Sequence, residues 1–477
     1  MRTKKSVKIT RFDENFKTSY NFKVGRNLSV DFGIHTAEFP NDDDDPTEYP
    51  LNVEELGLSS IDMISVFKQY YAEQGTTLYR FLLYGSDKKM YVNEMFDQDF
   101  NLYDLYDLTF EDKPIVLTYK NGDTDAIIMS SKNDMKIWKS GYSPYTIPDV
   151  PIVTSMCMND GVLFCTIQNP IYKIWYATDL NFENIGQINE NSGYISLNDD
   201  LGHPRKVLSF DDSVYVFRDY GISKITFIKG QISVTPVYTS NTKLFSNTVT
   251  SCGNIILFMT KDGIFSFNGV KVSQVKTNLP YDFSTLNAGA VASSLGDKYY
   301  LALKIDFLDG RRIGSEFCDN YVNNAIIILD LSDLSYQLIR GYDIKEFCPF
   351  KTELKECMLT LFNTQRETEI GEITKLGDNH FDSRVPRTWE TYDLVDRSTN
   401  KEFVQLVYTG TKGVYININY DGETKQVFVS HDGTSKFNFK IRARTVDVQL
   451  FSDRVDSEIE ELSLDYYEYW LFINKKI

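Results

Sequence analysis

Between Val207 and Val275 the apolar residues fall in short blocks cut by Asp and Gly, and the same layout occurs twice. In the first copy Val214, Val216 and Phe217 precede a turn at Asp219 to Gly221, and Ile222, Ile225 and Phe227 follow it. In the second, Ile255, Leu257 and Met259 alternate up to Lys261-Asp262-Gly263, after which Ile264, Phe265 and Phe267 lead into Asn268-Gly269. Asp-Gly and Asn-Gly between apolar strands are hairpin signals, because the favoured tight turn needs positive φ at its centre. Related units begin near Arg80, Pro114, Gly161, Ser213, Asn254, Lys298 and Cys357, about seven in all and six to eight by where the turns are cut. A four-stranded sheet cannot bury both faces alone, so units of this period predict a β-propeller over 56–380.

Before this region, residues 1–55 alternate weakly (Val7, Ile9, Phe12; Phe22, Val24) and predict an arm or edge strands that pack elsewhere in the fold. A helical period is visible only in Ser59 to Glu73, with Ser60 as N-cap and Met63, Ile64, Phe67 and Tyr71 on one face. After Gly377 to His380 the strands become longer and strictly alternating. Val414, Ile416 and Ile418 face one way, as do Phe437, Phe439, Ile441 and Ala443, so 381–477 predicts a C-terminal β-sandwich. The closing Asp465 to Trp470, followed by Lys475-Lys476, reads equally as a docking tail or as the last sandwich strand.

Composition agrees with an all-β chain. Aromatics are 14% of its 477 residues, with Tyr 31 and Phe 32, an excess that favours strands. The formal charge of −17 argues against a nucleic-acid-binding surface, although an acidic wall suits a conduit through which DNA slides without sticking. Cys157, Cys165, Cys252, Cys318, Cys348 and Cys357 form no Cys-x-x-Cys pair and are expected to be buried thiols in a reducing cytoplasm. The basic start Met1 to Lys5 lacks the apolar stretch of a signal peptide, and no run is long enough to span a bilayer, so a soluble chain is expected.

Candidate chemistry is sparse. His35, His203, His380 and His431 sit beside turn residues, and no HExxH, Gly-x-Ser-x-Gly, Walker or GxGxxG motif occurs. The Ser-x-Asp-x-Gly-x-x-Trp turn of sialidase-like propellers is absent too. Asp42 to Asp45 are contiguous, unlike a calcium loop, and Asp123 and Asp125 have calcium-like spacing on what reads as a hairpin tip. Tyr142, Tyr145, Trp175 and Tyr176 suit either stacking on a sugar or filling the wedge between sheets. No catalytic, cofactor-binding or metal-binding residue is assigned, although an acid/base pair of glycosidase type can be assembled in space from so many carboxylates.

The order of features resembles the propeller-type tail proteins of tailed bacteriophages, the group of short-tail nozzle and packaged-DNA stabilisation proteins. The residues carrying the likeness are Ile137 to Tyr142, Ile174 to Phe182, Val214 to Arg218 and Lys261 to Gly269, with Arg387 to Thr391 opening the sandwich. The resemblance covers about 80–290 directly; residues 1–55 match nothing in that group, and the chain is shorter than many nozzle proteins. It implies a non-enzymatic structural protein of the virion tail, assembled in the host cytoplasm as a homo-oligomeric ring, commonly six-fold, around the DNA exit channel. Its partners would be the portal adaptor and other tail proteins, with DNA passing through unread and no membrane involved. The alternatives are a glycan-binding propeller of a receptor-binding apparatus and a carboxylate-based glycan hydrolase.

Overall fold

The computed structural model describes residues 3–10, 22–26, 32–36, 38–42 and 45–50, and most of 58–469; the longest stretches it leaves out there are 95–102, 276–284, 306–320, 376–386 and 392–398. The described residues are all-β apart from two 3-10 turns, Phe182–Asn184 and Thr285–Gly289. From 61 to 375 the strands form consecutive antiparallel sheets of four: sheet 1 (61–109), sheet 2 (115–147), sheet 3 (153–196), sheet 4 (204–239), sheet 5 (244–274), sheet 6 (291–340) and sheet 7 (343–375 with 32–36). The first strands of neighbouring sheets run side by side from sheet 2 round to sheet 7 and on to sheet 1. The cycle is closed, which is the architecture of a β-propeller.

Its cores lie between sheets rather than within them. Met63, Leu82 and Val92 of sheet 1 meet Ile127, Met129 and Trp138 of sheet 2, and so on around the cycle until Cys348, Phe350 and Leu359 of sheet 7 meet Ile61, Phe81 and Leu83 of sheet 1. Every sheet therefore buries both faces. That is why the second strands Val162–Ile167 and Ser213–Arg218 are buried at every position and read as continuous apolar runs instead of alternating ones. Each of the hairpin units delimited in the sequence falls on strands of a single sheet.

The same double burial overturns the helix expected over Ser59 to Glu73. Ile61–Tyr71 is a strand paired with Thr76–Gly85, with a register shift between Ile61 and Met63. Ile61 and Ile64 pack toward sheet 7 while Met63 packs toward sheet 2. A bulge in a strand buried on both faces mimics a 3.6-residue period. Ser60, expected as the N-cap, instead donates its amide to the Ser86 hydroxyl (3.3 Å) and accepts from the Ser86 amide (2.9 Å).

Three of the described strands within 1–55 pair with later parts of the chain. Thr3–Thr10 pairs with Ile459–Tyr469, Phe22–Arg26 with Arg387–Thr391, and Phe32–Thr36 with Thr368–Lys375. The last of these supplies the fourth strand of sheet 7. Glu38–Asp42 and Asp45–Pro50 form a hairpin of their own, in which Asp42 stands opposite Asp45.

Beyond the cycle lie a four-stranded sheet (3–10, 459–469, 400–410, 433–443) and a five-stranded one (22–26, 387–391, 447–452, 415–420, 423–428). Phe403, Leu406 and Leu464 of the first share one core with Ile416, Ile418, Val448 and Leu450 of the second. The acidic segment from Asp465 to Tyr469 belongs to the strand lying between Thr3–Thr10 and Asn400–Gly410, with Lys4 3.0 Å from Asp465 and Lys5 2.5 Å from Glu468. It is a sheet strand, not a docking tail; Trp470, Lys475 and Lys476 lie outside the described residues.

Candidate functional site

The strand Ser213–Arg218 carries its apolar run straight into a charge, and Arg218 is fully buried. A buried guanidinium is tolerated only when its donors are used. Here the segment 197–203 folds over it. Nε and Nη2 donate to the Gly202 carbonyl (3.0 and 2.7 Å), and Nη1 donates to Asp199 (2.9 Å) and, more weakly, to Ser223 (3.4 Å). The Arg218 hydrogen bond holds the Asp199 carboxyl below the usual carboxylate range.

The next residue, Asp219, is buried too and anchors a second cluster. It accepts from Arg205 Nε and Nη2 (2.8 and 3.2 Å) and from the His203 amide (3.0 Å), with Lys243 3.5 Å away. Burial pushes its pKa up, but the Arg205 hydrogen bonds, the His203 amide and the two cations outweigh this, so it lies lower than usual.

Gly202 makes the two clusters compatible. Its φ is +79°, and a Cβ there would sit 2.7 Å from Cβ of Asp219. Gly202→Ala is expected to destabilise the protein by about 1–3 kcal/mol through backbone strain plus this clash, read as a lower midpoint in urea. No change in the midpoint would refute the argument.

Two clefts open beside the starts of the first strands. One, of about 540 Å³, lies between sheets 4 and 5 and is lined by Arg205, Tyr220, Lys243, Ser246 and Lys261. The other, of about 550 Å³, lies where sheets 1, 6 and 7 meet and is lined by Asp62, Glu111, Lys113, Asp343 and Lys345. In the second the charges largely answer one another. Lys345 is 3.5 Å from Asp62, Lys113 is 2.9 Å from Glu346, and Asp343 accepts the amides of Val322 (2.9 Å) and Asn323 (3.2 Å). Burial raises the Glu346 pKa, with Lys113 pulling against it.

Lys206, on the first strand of sheet 4, donates to the Val249 carbonyl (2.7 Å), and burial pushes its pKa down to about 8. Between that value and the ordinary lysine range near 10.4, the unfolded chain binds the extra proton. Folding stability from this group therefore rises with pH across about 8 to 10.4. The buried thiols of Cys157 and Cys165, pushed up by burial, act oppositely in the same range. The test is accordingly a difference: the melting temperature of wild type minus that of Lys206→Met should increase from pH 8 to 10, and a flat difference would exclude the effect.

The residues singled out in the sequence are not brought together. Trp175 is buried and packs edge-on against Tyr194 at 5.3 Å, the wedge-filling role rather than an exposed platform. Tyr142 is 69% exposed, Tyr145 is partly exposed on the strand Tyr145–Ile147, and Tyr176 lies against Phe164. His203 contributes its amide to Asp219, and the His431 ring lies between Ser430 (3.5 Å) and Ser435 (3.3 Å). His35 is on the strand Phe32–Thr36 and Asp125 on the strand Thr124–Ser131; Asp43, Asp44, Asp123, His380 and Cys318 lie outside the described residues. The five described cysteines are buried thiols. Among the described residues no three His, Cys, Asp or Glu side chains converge to hold a metal.

The Arg218 and Asp219 clusters and the cleft beside them were not foreseen. The available signal was Phe217-Arg218-Asp219, a charged pair ending an otherwise apolar strand, but the partners Asp199, Gly202, Arg205 and Lys243 come from other segments.

No family model matches the chain, and no curated protein matches it. Among solved structures it is similar to BBS1N, crystallised in complex with ARL6DN, with 9% identity, a TM-score of 0.44, and 74% of this chain and 100% of that one covered. It is also similar to the N-terminal domain of Nup159 (10% identity, TM-score 0.39, coverage 73% and 97%) and to Kluyveromyces lactis Hsv2 (8%, 0.34, 59% and 93%). These likenesses are too distant for any function to pass to this chain.

Proposed function

We propose that this protein is a non-enzymatic structural component of a bacteriophage virion: a seven-bladed propeller with a C-terminal β-sandwich, one protomer of a tail-nozzle or head-to-tail ring around the DNA exit channel. The observation carrying the reading is where the tail-protein-like segments fall. Ile174 to Ala177 is the third strand of sheet 3, Val214 to Arg218 the second strand of sheet 4, and Gly263–Phe267 the third strand of sheet 5. The segments thus occupy three consecutive sheets. The N-terminal strands add support, since by backbone pairing one short stretch of chain supplies strands to sheet 7 and to both C-terminal sheets, which suits a part that bears load. Partners on this reading are further copies of the chain, with six-fold order expected, together with the portal adaptor and other tail proteins. DNA passes without sequence-specific contact, and the protein resides in the tail after assembly in the host cytoplasm.

Cryo-electron microscopy of the virion tests it. A symmetric ring of this chain on the tail axis is expected; density only at fibre tips, or none, would refute it and favour a glycan-binding role.

A further inference from the structure

We propose that the cleft between sheets 4 and 5 binds an acidic saccharide, the carboxylate held by Arg205, Lys243 and Lys261. In a chain of net charge −17, three cations line one cleft of about 540 Å³, and no carboxylate lines it among the described residues. Asp219, behind the wall, pairs with Arg205 through Nε and Nη2 and lies 3.5 Å from Lys243, so one buried carboxylate faces two of the three cations and Lys261 is left in excess. The companion cleft differs in that carboxylates, Asp62, Glu111, Asp112 and Asp343, stand in its wall beside its lysines.

Asp219 fixes Arg205 by two of its nitrogens and leaves Nη1 for a ligand. Such a buried, paired carboxylate preorganises a cation without filling the cleft. Lys243, 3.5 Å from the same carboxylate and exposed, supplies a second positive charge, and Lys261 a third. Around them Ser246 and Asn241 offer hydroxyl and amide groups, and Tyr220, 43% exposed, offers an aromatic face. Charge for a carboxylate, polar groups for hydroxyls and a ring for stacking together match a uronic-acid type of sugar, and the volume lies in the range of ordinary ligand sites. A nucleic acid fits less well. Its bases need a row of aromatic faces for stacking, and Tyr220 is the one aromatic side chain with substantial exposure in the described lining. The inference does not depend on assembly into a ring.

The test is titration calorimetry on the full chain. The probes are a short oligogalacturonate, its methyl ester with the same rings and no charge, inorganic phosphate, and oligothymidylate. Saturable, salt-sensitive binding of the acid form is expected, with the ester at least about tenfold weaker. A Lys243→Ala/Lys261→Ala protein, altered only at exposed side chains, should bind about tenfold to a hundredfold more weakly, through loss of two charge-assisted contacts. Lys113→Ala in the other cleft should bind as wild type does. The proposal is overturned if no saturable binding is seen, if the ester binds equally, if the double variant is unaffected, or if phosphate or oligothymidylate binds as tightly as the sugar.

Discussion

Arg218→Leu is expected to cost the fold about 3 kcal/mol, read as a drop in the urea midpoint at unchanged slope. The loss comes chiefly from the acceptors it strands. The Gly202 carbonyl receives both Nε and Nη2, and the Leu197 carbonyl receives Nη2 at 3.4 Å; a buried acceptor left without a donor costs about 1–3 kcal/mol. Asp199 contributes less, because its side chain is half exposed and water can replace the guanidinium. Arg218→Lys keeps the charge but cannot reproduce the planar fork, so it should recover under half of the loss. The acid limb supplies an independent readout. Asp199 is held low first by Arg218, so its stabilisation is present above the unfolded carboxylate value and disappears as pH falls through the lower folded one. That slope should flatten in Arg218→Leu. A loss below about 1 kcal/mol would mean that the segment 197–203 re-forms around leucine and that the arginine is not its organiser.

Deleting residues 1–36 is expected to abolish cooperative folding altogether. The missing chain pairs with Thr368–Lys375 in sheet 7, with Arg387–Thr391 and with Ile459–Tyr469, so one truncation strips the outer strand from sheet 7 and an edge from each C-terminal sheet. Unpaired edges of that kind are templates for aggregation. A chain beginning at residue 28 separates the two roles. It retains Phe32–Thr36, and its propeller region should resist trypsin while the C-terminal sheets are cut. If the 1–36 deletion gave a single, unshifted thermal transition, these N-terminal strands would be dispensable and the expectation wrong.

The hairpin units were legible because their signals are local. Asp-Gly and Asn-Gly turns at Asp262-Gly263 and Asn268-Gly269 declare themselves within a few residues, and the alternation of Val414, Ile416 and Ile418 marks a sheet with one buried face. The strand Ile61–Tyr71 was illegible for the opposite reason. Its two faces meet different sheets, and a register shift near Met63 interrupts the alternation that would have betrayed it.

Trp175 and Tyr142 were indistinguishable in the sequence, yet one is buried beneath Tyr194 and the other is 69% exposed, because exposure depends on the neighbouring strand and not on the residue. The cleft shows the same limit. Arg205, Lys243 and Lys261 are separated along the chain and become neighbours only when sheets 4 and 5 pack. From sequence alone came the all-β class, the repeating hairpins and the change of texture near residue 380, all properties of short-range periodicity and turn chemistry. Tertiary structure alone decided that the strands Thr3–Thr10, Phe22–Arg26 and Phe32–Thr36 are shared among three sheets, that Arg218 is sealed by the segment 197–203, and which charges face one another. Those outcomes depend on pairings between segments far apart in sequence, selected by burial of whole faces and satisfaction of buried donors, which no local window contains.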